Sequence, residues 1–216
     1  MVMPRVRNIK CSLFEAAMNT ASTFQKIVNA HVTPYLFGFL GWQLMWQLQT
    51  QLAVLDYALG ISLMFLPAGI RTLAVLIFGL RGAVGVFVGA VFSTIEYLGH
   101  IPTMDLTNVV LIAAISAFSA YLMMQLVCWW RRIGVDLEEL RFSDVLVIVF
   151  SQGLLSATLH QLVYRHHELE EIYIKPSLVE SFRLWAAMAT GDIVGSMVLM
   201  LSGVMLANFL RRLHPA

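Results

Sequence analysis

Residues 108–130 read NVVLIAAISAFSAYLMMQLVCWW, without a charged side chain, and Arg131 and Arg132 follow directly. Hydrocarbon about 30 Å thick is crossed by a helix of about 20 residues, so this stretch is long enough to span a bilayer. Trp129 and Trp130, beside the arginine pair, are residues expected where a span meets the headgroups.

Working outward, five further apolar stretches of similar length lie at about 35–55, 57–80, 82–99, 145–164 and 184–210. Charges collect between them. The chain is 59% hydrophobic and 12% charged, against roughly 25% charged in a soluble domain. Such spans satisfy their backbone as helices, and the alternating strands of about ten residues that mark a membrane barrel are absent. The sequence therefore predicts an all-α fold, a polytopic membrane helical bundle of about six transmembrane helices. Pro67 and Gly69 inside the second span mark a place for that helix to kink or break.

Lysine and arginine set the orientation. Arg5, Arg7, Lys10 and Lys26 precede the first span, Arg81 separates the second and third, and Arg131 with Arg132 follows the fourth. Arg211 and Arg212 follow the sixth. With six spans these clusters share one side, which makes the chain a multi-pass protein of a bacterial inner membrane with both termini cytoplasmic. The third outer loop departs from the rule, with Arg165, Lys175 and Arg183 among Glu168, Glu170, Glu171 and Glu180. Residues 1–34 form a cytoplasmic N-terminal segment that does not read as a cleaved signal peptide. Its Ile9, Leu13, Ala17, Ala21 and Phe24 fall near one helical face, which fits a helix lying along the inner surface as well as a flexible tail. Residues 35–212 form the membrane domain and 213–216 a tail. Residues 135–142 read as a solvated connector or a short amphipathic helix. No output module is recognisable, so any signal is expected to pass through a separate protein.

Net charge is +1, which gives no warrant for nucleic acid. Cys11 and Cys128 cannot make a disulfide framework and read as inert thiols. His166-His167-Glu168 reads as a solvated loop, because adjacent histidines do not share a helix face. No hydrolase elbow, phosphate loop, paired-cysteine motif or His-Glu-x-x-His helix is present. No catalytic residue, cofactor or metal is assigned.

Charge inside a span costs about 2.5–3.5 kcal/mol on insertion scales, so Arg71 and Asp192 draw the functional reading. Pairing them is the cheapest arrangement. They form either an ion pair that locks two helices or part of a site for a small polar ligand or ion. A break at Pro67 would add free backbone groups for a bound anion. Glu96 and His160, near the outer ends of their spans, either line the same vestibule or snorkel to the headgroups. Gln43, Gln47 and Gln51 form a polar stripe beside Trp42 and Trp46, read as interhelical hydrogen bonding or a ligand path. Gly79, Gly82, Gly85 and Gly89 allow a neighbouring helix to approach closely.

Three segments resemble the MASE group, first type, the membrane-associated sensor domains of bacterial signalling proteins. Leu66-Pro67-Ala68-Gly69-Ile70, with Leu73-Ala74 and Gly79, is similar to the Pro-containing span of that family. Leu140 to Ala157, with Ser143-Asp144-Val145-Leu146 and Ser156-Ala157-Thr158, resembles its connector and next span. Trp185 with Gly191-Asp192-Ile193-Val194-Gly195 resembles its Trp and Gly-Asp-x-x-Gly helix, which brings Trp185 among the candidate ligand residues. The likeness covers about residues 35–205. The family commonly has about eight spans and a fused kinase, cyclase or phosphodiesterase, and it carries a small or apolar residue where this chain has Arg71. The resemblance implies a non-enzymatic sensing module in the bilayer, with a membrane or cytoplasmic signalling partner. A small transporter or channel is the rival, from the broken span and buried charge. An intramembrane enzyme using Glu96, His160 and Asp192 is the third reading.

Overall fold

The computed structural model describes residues 31–52, 56–58, 61–98, 105–134, 137, 139–166 and 177–213. Cys11, the surface helix expected before residue 30, His167, Glu168 and the tail after Leu213 lie outside them. Six helices are found among the described residues: α1 (Thr33–Gln51), α2 (Leu66–Phe78), α3 (Leu80–Leu98), α4 (Leu106–Arg131), α5 (Phe142–His166) and α6 (Leu178–Leu213). A two-stranded antiparallel hairpin, β1 (Asp56–Ala58) and β2 (Ile61–Ser62), separates α1 from α2. Four helices are long and apolar enough to cross a membrane, over Leu80–Tyr97, Leu106–Arg131, Phe142–Arg165 and Leu178–Met205.

The distribution of polarity is that of a bundle in lipid. Leu36, Leu40, Leu44 and Leu48 lie one turn apart on α1 and are exposed, as are Leu122 and Leu126 on α4 and Phe150 and Leu154 on α5. Inside are Arg71, Thr72, Ser116, Gln152, Ser156, Asp192 and Ser196, all buried. Water would favour the reverse arrangement, whereas hydrocarbon leaves hydrogen bonds between helices as the adhesive.

One expected span is corrected. The stretch 57–80 is not a single helix, because the hairpin strands and a bent, non-helical piece at residues 63–65 come first and α2 begins only at Leu66. Pro67 stands in the first turn rather than mid-helix. Its fixed φ and missing N–H are harmless there, so it starts the helix instead of kinking it. The 13 residues of α2 cover about 20 Å, short of the hydrocarbon.

Two glycines of α6 hold the non-helical chain before α2. A Cβ at Gly191 would fall on the Ser62 carbonyl, and one at Gly195 on the Phe65 carbonyl. Their absence lets residues 62–65 lie directly on the helix, where the Phe65 N–H donates to the Gly191 carbonyl at 2.9 Å. The connector after α4 is non-helical where it is described, with Leu137 at φ 58°. There Arg131 Nε donates to Asp144 Oδ1 at 3.1 Å, tying the end of α4 to the start of α5.

Candidate functional site

Gln49 of α1 explains why chain can break inside the bundle beside Arg71. The first N–H groups of a helix need acceptors, and Phe65 supplies no side-chain cap. Gln49 Oε1 accepts the Leu66 N–H at 3.0 Å, while its Nε2 donates to Ser62 Oγ at 3.0 Å. Pro67 has no N–H, and the Ala68 N–H donates to the Phe65 carbonyl. The backbone groups expected to await an anion are thus already used.

Arg71, on the second turn of α2, is 1% exposed. Its Nη2 donates to Asp192 Oδ2 at 2.9 Å. Its Nη1 donates to the Ser116 carbonyl at 2.9 Å and to Ser156 Oγ at 3.4 Å. One guanidinium therefore ties α2 to α4, α5 and α6. Among the described residues Arg71 Nε is buried without a partner, which costs about 1–3 kcal/mol when no acceptor is supplied. Asp192 is spent on one oxygen only, and Oδ1 has no partner among the described residues.

His160 closes the network. Its Nδ1 lies 2.8 Å from the Ser156 carbonyl, and since a carbonyl only accepts, Nδ1 carries the proton. Nε2 lies 3.2 Å from Ser116 Oγ. Each serine thus serves both basic groups, with its carbonyl on one and its hydroxyl on the other.

These side chains line a cavity of about 70 Å³. Its second wall is aromatic, with Trp42 and Trp46 of α1 packed edge-on against Phe65 at 6.0 and 6.1 Å, and Trp46 against Tyr97 of α3 at 5.6 Å. Trp42 Nε1 is held by Ser93 Oγ at 2.9 Å. The lining comes from the C-terminal halves of α1, α3 and α5 and the N-terminal halves of α4 and α6, so the cavity lies toward the hairpin end. Below Arg71, Gln152 Nε2 donates to Thr72 Oγ1 and, at 3.2 Å, to Ser196 Oγ. Beyond this layer Val75, Ala83, Ala120, Met124, Val127 and Ile148 form a packed apolar core.

Of the six candidate ligand residues, the structure brings Arg71, Asp192 and His160 together on the cavity. Glu96 and Gln47 are exposed and off the lining. Glu96 therefore does not join His160 and Asp192, and the trio required by the enzyme reading is not assembled. The glutamine stripe divides, since Gln43 donates to the Gly89 carbonyl at 3.3 Å whereas Gln47 and Gln51 face outward. Gln49, outside the stripe, is the buried one because the chain break needs it. Trp185 is half-buried away from the lining, and its Nε1 donates to Thr158 Oγ1 at 3.0 Å across the α5–α6 seam. Sequence reading missed Ser116, although Gln152, Ser156, His160 and Tyr164 recur every fourth residue on α5 and signal a buried polar stripe. Among the described residues no group of three His, Cys, Asp or Glu is placed to hold a metal ion.

No family model, curated protein or solved structure matches this chain.

Proposed function

We propose that the chain is a sensor-like membrane module, which takes a small polar ligand in the Arg71–Asp192 cavity and passes a helix rearrangement to a separate partner protein. The observation that carries this reading is a buried ion pair left incompletely satisfied on the wall of a cavity. A strut between helices would be cheapest with every donor and acceptor used. Among the described residues Arg71 Nε is buried without a partner and Asp192 Oδ1 has none beside Arg71's bond to Oδ2. Because Arg71 grips three helices, a ligand that competes for Asp192 shifts α2 against α6, which is the differential contact a conformational response requires. The likeness to MASE sensor domains at Leu66–Ile70 and Gly191–Gly195 agrees with this reading, and those segments meet beside the cavity.

In this reading the chain crosses a bacterial inner membrane six times, with α2 and its non-helical lead-in as the second crossing, both termini cytoplasmic and the cavity facing outward. Reporters fused after Arg132 are expected on the cytoplasmic side, and a reporter inserted near Glu170 on the outer side.

A transporter remains the second reading, favoured by a span helical only in part, a feature transporters place at midplane sites. Swelling of protein-containing vesicles in acetamide or glycine separates the two. A sensor leaves the rate equal to that of empty vesicles, and a protein-dependent acceleration would establish transport instead.

A further inference from the structure

We infer that the cavity selects a small electroneutral solute bearing both an N–H or O–H donor and a carbonyl-type acceptor, an amide-like molecule, over ions of either sign. The inference rests on the cavity being a binding site. Three independent accounts of the lining lead to it.

The first is charge. Arg71 and Asp192 are the basic and acidic side chains of opposite charge in the lining, joined at 2.9 Å, and their charges cancel. A charged solute would bring one unbalanced charge into a low-dielectric space, whereas a dipolar solute complements the dipole of the pair. The second is hydrogen bonding. Among the described residues Asp192 Oδ1 is an acceptor and Arg71 Nε a buried donor without partners, so the ion pair presents both kinds of group. Trp46 and Tyr97 also line the cavity, and their Nε1–H and Oη–H are donors that find no partner among the described residues. A solute that satisfies these groups must both donate and accept. The third is size. The cavity of about 70 Å³ is about half of an engineered cavity of about 150 Å³ that takes benzene, so a small solute suffices to fill it. A primary amide such as acetamide meets all three conditions.

The test uses the full chain in lipid nanodiscs, with Trp129, Trp130 and Trp185 replaced by Phe so that emission reports Trp42 and Trp46. Acetamide, acetate and methylammonium, matched in size, are titrated at neutral pH. Saturable emission change with acetamide and at least about ten-fold weaker responses to both ions are expected, since an uncompensated charge is worth at least that factor. An ion that binds as tightly as acetamide would overturn the selectivity and leave the site standing. Absence of a saturable response to all three solutes would overturn the binding-site reading itself. Tyr97→Phe, which keeps the ring and its packing, is expected to weaken acetamide about five-fold through one lost hydrogen bond. Unchanged affinity in that variant would overturn the donor–acceptor assignment.

Discussion

The two ends of the bundle are built from the same helices and solve opposite problems. Toward the hairpin, α5 buries Gln152, Ser156 and His160 at four-residue intervals, and each finds partners on α2, α4 or α6. One turn further along the same face stands Ile148, fully buried among Val75, Met124 and Val127. A continuous polar stripe would make a through-path, and the interruption makes a vestibule closed at one end. In lipid, therefore, packing of small and branched side chains seals one half, while a polar network with spare valences is confined to the other.

Separating the charges at the polar end should give the largest effect. Arg71→Met or Asp192→Leu alone leaves a buried charge unpaired, and each is expected to lower unfolding stability in detergent by about 3–5 kcal/mol. The double variant should regain most of that loss and still fail to bind acetamide. Single variants that lose less than about 1 kcal/mol would mean that water reaches the pair freely, erasing the contrast between the halves.

The seam between residues 62–65 and α6 comes next. In Gly191→Ala the new methyl group falls on the Ser62 carbonyl, so a loss of about 1–3 kcal/mol is expected from forced separation. Gly203→Ala, on the same helix with open space around it, should gain about 0.5–1 kcal/mol from helix propensity. Equal effects would show that residues 62–65 do not lie on α6.

The smallest effects separate two glutamines two residues apart. Gln49→Leu removes the acceptor of the Leu66 N–H and the donor to Ser62, for a loss of about 1–2 kcal/mol. Gln47→Leu, on an exposed position, should stay within about 0.5 kcal/mol. Detergent unfolding of both variants measures the difference.

What the sequence disclosed follows from which signals are local. Apolar runs and arginine clusters are local, so the bundle and four of its long helices are legible from residues 82–210. The costly charges are local too, and they led to Arg71 and Asp192, which meet at 2.9 Å. The broken span was harder. Residues 61–65 are as apolar as a helix, and what keeps them out of one is distant: Gly191 and Gly195 on α6 and the cap from Gln49. The cavity wall was harder still. Ser116 is one of many small hydroxyl residues in apolar helices, and only its position between Arg71 and His160 gives it a role. Gln47 misled because a regular stripe was read as a buried face, when the tertiary need sat at Gln49.

The central claim, a solute-accessible polar half backed by a sealed apolar half, is tested most directly by two cysteines in a Cys11→Ser, Cys128→Ala background. Thr94→Cys replaces a cavity-lining residue on α3, and Ile148→Cys replaces the centre of the seal. Membrane vesicles are treated with iodoacetamide, a small uncharged amide that alkylates thiols. The account predicts that Thr94→Cys is alkylated and that Ile148→Cys is not. Alkylation of Ile148→Cys, or protection of Thr94→Cys, would contradict it.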